Sequence, residues 1–451
     1  MDRKQSFFKT VCSLAIPVTL QSLLQSSFGT VDQIMIGQLG SISVAGVGLA
    51  AKFASIYSVV IAAIGAVAGI LIAQYLGQKN GQAVRRSFYT NLLLGTGIAG
   101  MFTVLCALFP EQIMACYTED PATRQAAASY LAIVAGTFFP LAGATLLSTL
   151  LRCLERPRLP LYASLASALL NTGLNYLLMF GVWGIAPMGA RGAAIATVVA
   201  QYANFGIMLL MLPKEVSGLT KSRGSGEASV NWKQYLSVLC PILVCEVVWS
   251  LGENVYAIIY GHMGTDASAA MTLTNPIQGL LIGALCGLSQ AAGVLIGKRL
   301  GNGEYTEAYE ASKKLLFYGA VGAVLLSAVV ILIRPVYVEI YQVEETVKNL
   351  TMQILLAYGL VAPFKVLNMI LGGGIIRSGG KTKYVMMIDL IGTWCFGVPL
   401  GLLAAFVWKL PIPDVYFILS LEECIRFCIS LVVFRRKRWM NTLDAQQASF
   451  G

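Results

Sequence analysis

Long uninterrupted runs of apolar residues, separated by short polar stretches, form the main pattern along this chain. Three examples are Leu131–Leu151, Gly319–Ile333 and Asp389–Trp408. A helix that crosses the hydrocarbon core of a bilayer needs about 20 predominantly apolar residues, and many of the runs reach or approach that length. The pattern therefore predicts an all-α polytopic membrane protein.

Counting the runs predicts twelve transmembrane helices. Their approximate bounds are 11–38, 44–76, 87–109, 124–151, 161–181, 190–212, 233–261, 267–298, 313–333, 348–376, 384–408 and 413–434. Several of these spans exceed one bilayer crossing, so tilted, kinked or protruding helices are expected.

The composition and the charge distribution agree with a membrane location. Hydrophobic residues make up 57% of the chain and charged residues 12%, whereas roughly a quarter of the residues of a soluble protein are charged. If the amino terminus is cytoplasmic, most lysines and arginines fall in cytoplasmic segments, as the positive-inside rule requires. We therefore expect a multi-pass protein of the cell (inner) membrane with both termini cytoplasmic. The net charge of +10 then reflects loops that face anionic lipids and does not indicate nucleic-acid binding.

The two halves of the sequence resemble each other at an offset of 224 residues. The pattern A-G-x-L-I-x-x-x-L-G occurs at 68–77 and again at 292–301, and Pro17 in the first half matches Pro241 in the second. Each repeat holds six predicted spans, an even number, so both halves enter the membrane from the same side. Parallel repeats of this kind build transporters from two bundles, with the substrate in the cleft between them.

The repeat defines the expected domain organisation. An amino-terminal six-helix lobe covers 1–212 and a carboxy-terminal six-helix lobe covers 233–434. A polar, Ser- and Gly-rich cytoplasmic linker at 213–232 joins the two lobes, and a basic cytoplasmic tail follows at 435–451.

Several short motifs occur in a characteristic order along the chain. The first span contains Pro17, Val31, Asp32 and Gly37, and the fifth contains L-N-x-x-x-N-Y with Asn171 and Asn175. The sixth span opens with G-A-A-x-A-T, which ends at Thr197, and the seventh has P-x4-E-x-x-W-x-x-G, from Pro241 to Gly252. After the tenth span comes I-R-S-G-G-K-T, from Ile376 to Thr382. Over nearly its full length the chain resembles the multidrug and toxic compound extrusion (MATE) family.

This resemblance implies a drug/cation antiporter with two lobes, and it points to Asp32, Asn171 and Thr197 as site residues. Many relatives, notably archaeal ones, have Asp where this chain has Asn175. The chain therefore keeps one formal charge in the pocket, and the identity of the coupling ion does not follow from the resemblance.

The residues themselves also indicate a polar pocket in the amino-terminal lobe. Asp32 lies deep in the first span, where an ionisable group costs at least ~2.5–3.5 kcal/mol. Asn171 and Asn175 are i,i+4 neighbours on the fifth span, and Thr197 is on the sixth. If these faces converge, the pocket is suited to a proton on Asp32 or to Na⁺ bound by oxygen ligands. The alternative is that the amides join the helices and only hydrogen-bond Asp32.

The carboxy-terminal lobe contains further ionisable residues within its spans. Glu246 and Glu253 lie on one face of the seventh span, Lys365 is in the tenth and Asp389 is in the eleventh. Glu246 and Lys365 are candidates for a buried ion pair, which would reduce the cost of both charges. We expect these four residues to form an ion-coupling site or a charge network.

Aromatic and polar residues near these positions are candidates for the substrate cleft. They are Gln25, Tyr57, Trp249 and Tyr256. Aromatic side chains attract flat organic cations by stacking and cation–π interactions, although most aromatic residues of a membrane protein face lipid or the core.

The leading functional hypothesis is a secondary antiporter that exports amphipathic, often cationic compounds in exchange for H⁺ or Na⁺. We expect a monomer surrounded by lipid, without a cofactor other than the coupling ion. A flippase or exporter of lipid-linked saccharides is the alternative, but it would need basic residues in its central cavity. The sequence contains no phosphate-binding loop and no motif of an intramembrane enzyme, so an enzyme is not expected.

Overall fold

The computed structural model of this protein describes residues 2–181, 186–212, 232–341 and 343–440. Every regular element within these ranges is helical, and they contain no strand. The all-α fold that the apolar runs predict is therefore confirmed.

Twelve helices, α1 to α12, correspond to the twelve predicted spans. Their bounds are α1 Asp2–Gly37, α2 Ser41–Gly77, α3 Gly81–Leu108, α4 Pro121–Cys153, α5 Arg158–Phe180, α6 Gly189–Leu210, α7 Trp232–His262, α8 Thr265–Gly301, α9 Tyr305–Glu339, α10 Glu345–Ile376, α11 Thr382–Val407 and α12 Ile412–Ser420 continued by Glu422–Arg435. In the described part of the chain, eleven helices, α1 to α11, are long and apolar enough to cross a membrane.

Several helices are longer than a bilayer crossing requires. α2 and α8 each contain 37 residues. At 1.5 Å per residue such a helix is about 55 Å long, whereas the hydrocarbon core is about 30 Å thick. The prediction of tilted or protruding helices is consistent with these lengths.

The twelfth span differs from a single continuous helix because it is interrupted at Leu421. Its two segments have 9 and 14 residues, and each is too short to cross a bilayer alone. The amide of Leu421 donates to the carbonyls of Phe417 and Ile418, both at 3.2 Å, so backbone hydrogen bonding continues through the break. The interruption places Glu422 and Glu423 in the first turn of the second segment, where the helix dipole favours negative charge.

The chain forms two compact units. The amino-terminal unit comprises Leu20–Ile72 and the described residues from Asn80 to Leu212. The carboxy-terminal unit comprises the described residues from Trp232 to Met440, together with Asp2–Thr19 and Ala73–Lys79. The predicted lobes divide the chain at the linker instead, and because residues 213–231 of that linker lie outside the described part, that division stays a prediction.

Two glycines at equivalent positions of the repeat allow α2 and α8 to cross closely within the carboxy-terminal unit. A Cβ atom at Gly77 would collide with the carbonyl of Lys298, and one at Gly301 would collide with the carbonyl of Gln74. Gly77 and Gly301 are related by the repeat offset of 224 residues, and so are Gln74 and Lys298. The contact is therefore reciprocal, and only residues without a side chain permit the backbones to approach this closely.

The first residues of the predicted basic tail are part of the fold. Trp439 is fully buried, and its Nε1 donates to the carbonyl of Phe434 at 3.2 Å. The ring of Phe434 stacks on Trp439 and on Tyr309 of α9, with centroids 5.8 and 4.8 Å apart. The first residues of the predicted tail therefore pack against the carboxy-terminal unit. The cytoplasmic tail at 435–451 stays a prediction, and residues 441–451 lie outside the described part.

Candidate functional site

A chain of hydrogen bonds joins three helices of the amino-terminal unit around Asp32. Asn175 Nδ2 on α5 donates to Asp32 Oδ1 on α1 at 2.6 Å and to Asn171 Oδ1 at 3.2 Å. Asn171 Nδ2 in turn lies 3.5 Å from Thr197 Oγ1 on α6, a long contact, and the Thr197 hydroxyl donates to the carbonyl of Ala193 at 2.9 Å. The structure therefore brings together Asp32, Asn171, Asn175 and Thr197, the four residues that the sequence assigns to this pocket.

Close packing of α5 against α6 supports this arrangement. A Cβ atom at Gly192 would lie 2.7 Å from the carbonyl oxygen of Leu178, so the first turn of α6 approaches the backbone of α5 because Gly192 has no side chain. The amide of Met188 also donates to Leu178 O at 2.9 Å. These contacts fix the spacing between the Asn171 and Thr197 faces.

The residue types in this pocket suit a proton or a hard monovalent cation. Asp32 provides a carboxylate, Asn171 and Asn175 provide amide oxygens, and Thr197 provides a hydroxyl oxygen, which are the ligand types that hard cations prefer. Asp32 Oδ1 and Asn171 Oδ1 each accept a hydrogen bond from Asn175 Nδ2, and each oxygen keeps a second lone pair for a cation. No group of three or more His, Cys, Asp or Glu residues with the geometry of a metal site occurs among the described residues.

Sequence reasoning missed one neighbour of Asp32. The half-buried phenol of Tyr130 on α4 interacts electrostatically with Asp32, a proximity that no sequence spacing reveals. Gln21, on the same helical face as Asp32, instead donates to Ser164 Oγ at 2.9 Å and accepts from Arg152 at 3.2 Å. Gln21 therefore connects helices in another part of the unit.

The substrate-cleft candidates occupy different environments. Tyr57 is 0% exposed, its hydroxyl donates to the carbonyl of Phe138 at 2.7 Å, and its ring lies 4.4 Å from that of Phe138. Tyr57 is thus a core residue, which corrects its prediction as a cleft residue. Gln25 and Trp249 are exposed, whereas Tyr256 is buried inside the carboxy-terminal unit.

An arginine organises the charges of the carboxy-terminal unit. Arg426 on α12 forms ion pairs with Asp389 on α11 and, at 3.5 Å, with Glu423 Oε1. Cys245 Sγ donates to Asp389 Oδ2 at 2.6 Å, and Asn368 Nδ2 donates to Glu423 Oε2 at 2.8 Å. Four helices therefore contribute to one hydrogen-bonded cluster.

Glu246 has a different partner from the predicted one. The structure places Arg377 Nη2 3.8 Å from Glu246 Oε1, and among the described residues Glu246 and Lys365 form no ion pair. Arg377 directly follows the last residue of α10, and its side chain reaches back towards α7. Glu246, Trp249, Lys365 and Arg377 all line a cavity of about 280 Å³.

A second cavity, of about 340 Å³, lies in the same unit. Glu253, Tyr256, Lys365, Glu422 and Glu423 line it, and the Tyr256 hydroxyl donates to Glu422 Oε2 at 2.6 Å. Lys365 and Glu423 also line the first cavity, so these two residues separate the two spaces.

Irregular helix geometry surrounds both cavities. Met369–Ile376 in α10 and Ile391–Gly397 in α11 are π-helical, a conformation that is rare and frequent at functional sites. A Cβ atom at Gly392 would collide with the side chain of Arg426, and one at Gly397 would collide with Glu422. These glycines let charged side chains lie directly against the backbone of α11.

Comparison with known proteins agrees with this architecture. The sequence profile of the MatE family matches residues 17–177 and 241–403. The chain belongs to the MatE family. The two matched stretches begin at Pro17 and Pro241, which are equivalent positions of the internal repeat. The match to the family profile therefore supports the duplication.

Relatives in the MatE family are similar over nearly the whole chain. The chain is 24% identical to "Probable multidrug resistance protein NorM" of Thermotoga maritima, with 96% of this chain and 93% of that protein covered. It is 25% identical to "Multidrug and toxin extrusion protein 1" of Rattus norvegicus, over 98% of this chain and 77% of that protein.

Solved structures of the family share the fold. The bent form of the Vibrio cholerae MATE transporter VcmN matches with a TM-score of 0.86 at 17% identity, covering 96% of this chain and 97% of that one. An outward-facing MATE family transporter matches with a TM-score of 0.86 at 16% identity, covering 96% of both chains. The fold class is therefore that of MATE transporters, with twelve transmembrane helices in two six-helix bundles.

Proposed function

We propose that this chain is a secondary active antiporter that exports amphipathic, often cationic organic compounds in exchange for H⁺ or Na⁺ by alternating access. Family membership and relatives with names such as "Probable multidrug resistance protein NorM" support this function. The observation that carries the proposal is Asp32, a carboxylate within the apolar helix α1 whose oxygen accepts a 2.6 Å hydrogen bond from Asn175.

The proposed coupling follows from the cost of charge in a membrane. A proton or Na⁺ that enters the pocket neutralises Asp32 and changes its hydrogen bonds to Asn175 and, through it, to Asn171. One charge that moves inward across the membrane releases ~2.3 kcal/mol per 100 mV, which biases a two-state equilibrium more than tenfold. In this scheme ion binding favours the conformation that releases the exported compound.

Glu246, Glu253, Lys365 and Asp389 form a charge network in the second bundle under this proposal. Glu246 pairs with Arg377, which follows α10, and Asp389 pairs with Arg426, so ion pairs join α7 to α10 and α11 to α12. Trp249 and Tyr256, which line its two cavities, are the proposed aromatic contacts for substrate, with Gln25 as the corresponding polar contact in the first bundle.

The export of lipid-linked saccharides is a weaker alternative. Pyrophosphate recognition requires basic side chains that are free to bind an anion. Arg426 is already paired with Asp389 and Glu423, and Lys365 lines a cavity with three glutamates. Both basic residues are thus held among carboxylates, which weighs against the binding of an anionic pyrophosphate.

The remaining proposals concern location and partners. The lysine and arginine distribution supports a multi-pass protein of the cell (inner) membrane with both termini cytoplasmic. We propose that it acts as a monomer among membrane lipids, binds small amphipathic molecules rather than nucleic acid, and is a transporter rather than an enzyme. The coupling ion is the only bound inorganic group in this scheme.

Efflux measurements in proteoliposomes test the proposal. Wild type, Asp32→Asn and the control Glu119→Gln, whose carboxylate is exposed between α3 and α4, are reconstituted with a fluorescent organic cation. A pH gradient and a Na⁺ gradient are imposed separately. We expect one gradient to drive export by wild type and Glu119→Gln, and export by Asp32→Asn to fall about tenfold or more because its pocket holds no charge to neutralise.

The two gradients distinguish the possible results. Export driven by the pH gradient alone identifies H⁺ as the coupling ion, and export driven by the Na⁺ gradient alone identifies Na⁺. If Asp32→Asn transports like wild type, the pocket is not the coupling site. If neither gradient drives export of any organic cation, the antiport proposal is wrong.

A further inference from the structure

The 340 Å³ cavity of the carboxy-terminal unit has more acidic than basic side chains. Glu253, Glu422 and Glu423 line it, and Lys365 is the one basic residue in its described lining. Neutral oxygen atoms from amide and hydroxyl side chains complete the wall; they come from Ser268, Thr272, Asn275, Gln278 and Ser420. With all three carboxylates ionised, the lining has a net negative charge.

Lys365 is held in this cavity differently from Arg426. Arg426 forms direct ion pairs with Asp389 and Glu423. The ammonium of Lys365 forms no direct ion pair with any described residue. It is attracted by the carboxylates of Glu423, Glu253 and Glu422 together. Its positive charge thus interacts with all three carboxylates of the cavity rather than with one of them.

Two of the three carboxylates are also fixed in place by other contacts. Glu422 accepts from the Tyr256 hydroxyl at 2.6 Å, and Glu423 accepts from Asn368 at 2.8 Å. Neither residue depends on Lys365 for its orientation. A cavity lined by positioned carboxylate, amide and hydroxyl oxygens would remain if the lysine were removed, and such oxygens are the ligands of hard cations.

We propose that Lys365 is the resident cation of this cavity and that it determines ion specificity by excluding free inorganic cations from the carboxy-terminal bundle. A tethered ammonium cannot dissociate, so it permanently supplies the positive charge that a diffusing Na⁺ would otherwise supply. Repulsion between Lys365 and a second cation about 6 Å away, at an effective dielectric constant of ~20, weakens binding of that cation roughly 100-fold.

Sodium binding to purified protein tests this inference. All chains contain Asp32→Asn, so that the amino-terminal pocket does not contribute. Equilibrium binding of radioactive Na⁺ is measured with Asp32→Asn alone, with added Lys365→Met, and with added Lys52→Met, a control that removes an exposed lysine of α2. Choline chloride keeps the ionic strength constant.

We expect saturable binding of about one Na⁺ per chain only in the variant with Lys365→Met, at least roughly 100-fold tighter than in its parent. Adding Glu253→Gln, which removes a cavity carboxylate without an ion pair in the described structure, should weaken that binding again. The variant Lys365→Gln, which keeps a polar side chain, provides a second version should the methionine variant fail to fold.

Two results would overturn the inference. In the first, the Asp32→Asn protein, in which Lys365 is intact, binds Na⁺, and adding Glu253→Gln removes this binding. This measurement needs no change at Lys365. The other is a folded Lys365 variant that binds no Na⁺. The physiological meaning rests on the proposed ion coupling, but the assay measures binding without transport, so failure of the antiport proposal would be seen separately in the efflux experiment.

Discussion

Replacing Arg426 by methionine should destabilise the carboxy-terminal unit strongly. The side chain lies against the backbone of α11 at Gly392 and holds two carboxylates, Asp389 and Glu423, that come from different helices. Removing one partner from a buried ion pair costs about 3–5 kcal/mol, because the remaining charge stays buried without compensation. Two carboxylates lose their partner here, so we expect a loss in the upper part of that range.

A charge-balanced double variant separates this effect from lost packing. In Arg426→Met/Asp389→Leu one of the uncompensated carboxylates is gone, and Glu423 keeps its hydrogen bond from Asn368. Replacing a buried ion pair by apolar residues of similar size is often nearly neutral. We therefore expect the double variant to recover about 2 kcal/mol or more relative to Arg426→Met.

Unfolding of the purified variants in detergent, followed by circular dichroism, measures these differences as a double-mutant cycle. The control is Lys313→Met, since Lys313 forms a 2.8 Å ion pair with Glu310 in which both side chains are about half exposed. Loss of an exposed pair should change the free energy of unfolding by only about 0–1 kcal/mol. The reasoning is refuted if Arg426→Met costs no more than Lys313→Met, or if the effects of Arg426→Met and Asp389→Leu simply add.

Two further predictions concern packing in the carboxy-terminal unit. Trp439→Ala should lower the free energy of unfolding by about 3–5 kcal/mol because it removes a fully buried ring, whereas Trp408→Ala, at an exposed tryptophan, should change it little; thermal melting compares the two. Gly301→Ala should lower the melting temperature because the new methyl group meets the carbonyl of Gln74, whereas Gly97→Ala, in open space on α3, should leave it unchanged or raise it.

The sequence predicts much of the fold because its signals are long and repeated. A run of about 20 apolar residues indicates a transmembrane helix with little ambiguity. The repeat at an offset of 224 residues shows that the chain consists of two related halves. The break at Leu421 has no such signal, since Leu is a good helix former. Glu422 and Glu423, which the break places beside the cavities, are polar groups whose position depends on the surrounding helices.

The candidate site is predictable only where helical spacing determines it. Asn171 and Asn175 are one turn apart on a regular helix, so their common face follows from the sequence. The partner of Glu246 does not follow, because the π-helical segment Met369–Ile376 lies between Lys365 and Arg377 and changes which residues of α10 share a face. Regular helical periodicity fails at that point, and the arginine rather than the lysine reaches Glu246.

Equivalent positions of the internal repeat carry different chemical groups in the two halves. Asp32 and Tyr256 occupy equivalent positions at the repeat offset, and each lies in a short hydrogen bond of 2.6 Å, to Asn175 and to Glu422 respectively. The carboxylate therefore belongs to the first helix of one half but to the last helix of the other. In the first half that carboxylate accepts from a neutral amide, so its charge can be neutralised by an entering ion. In the second half Lys365 supplies a permanent positive charge to the same cavity. Under the proposals above, both halves contain a hydrogen-bonded polar group at this position of the repeat, and the first half alone offers an exchangeable ion site.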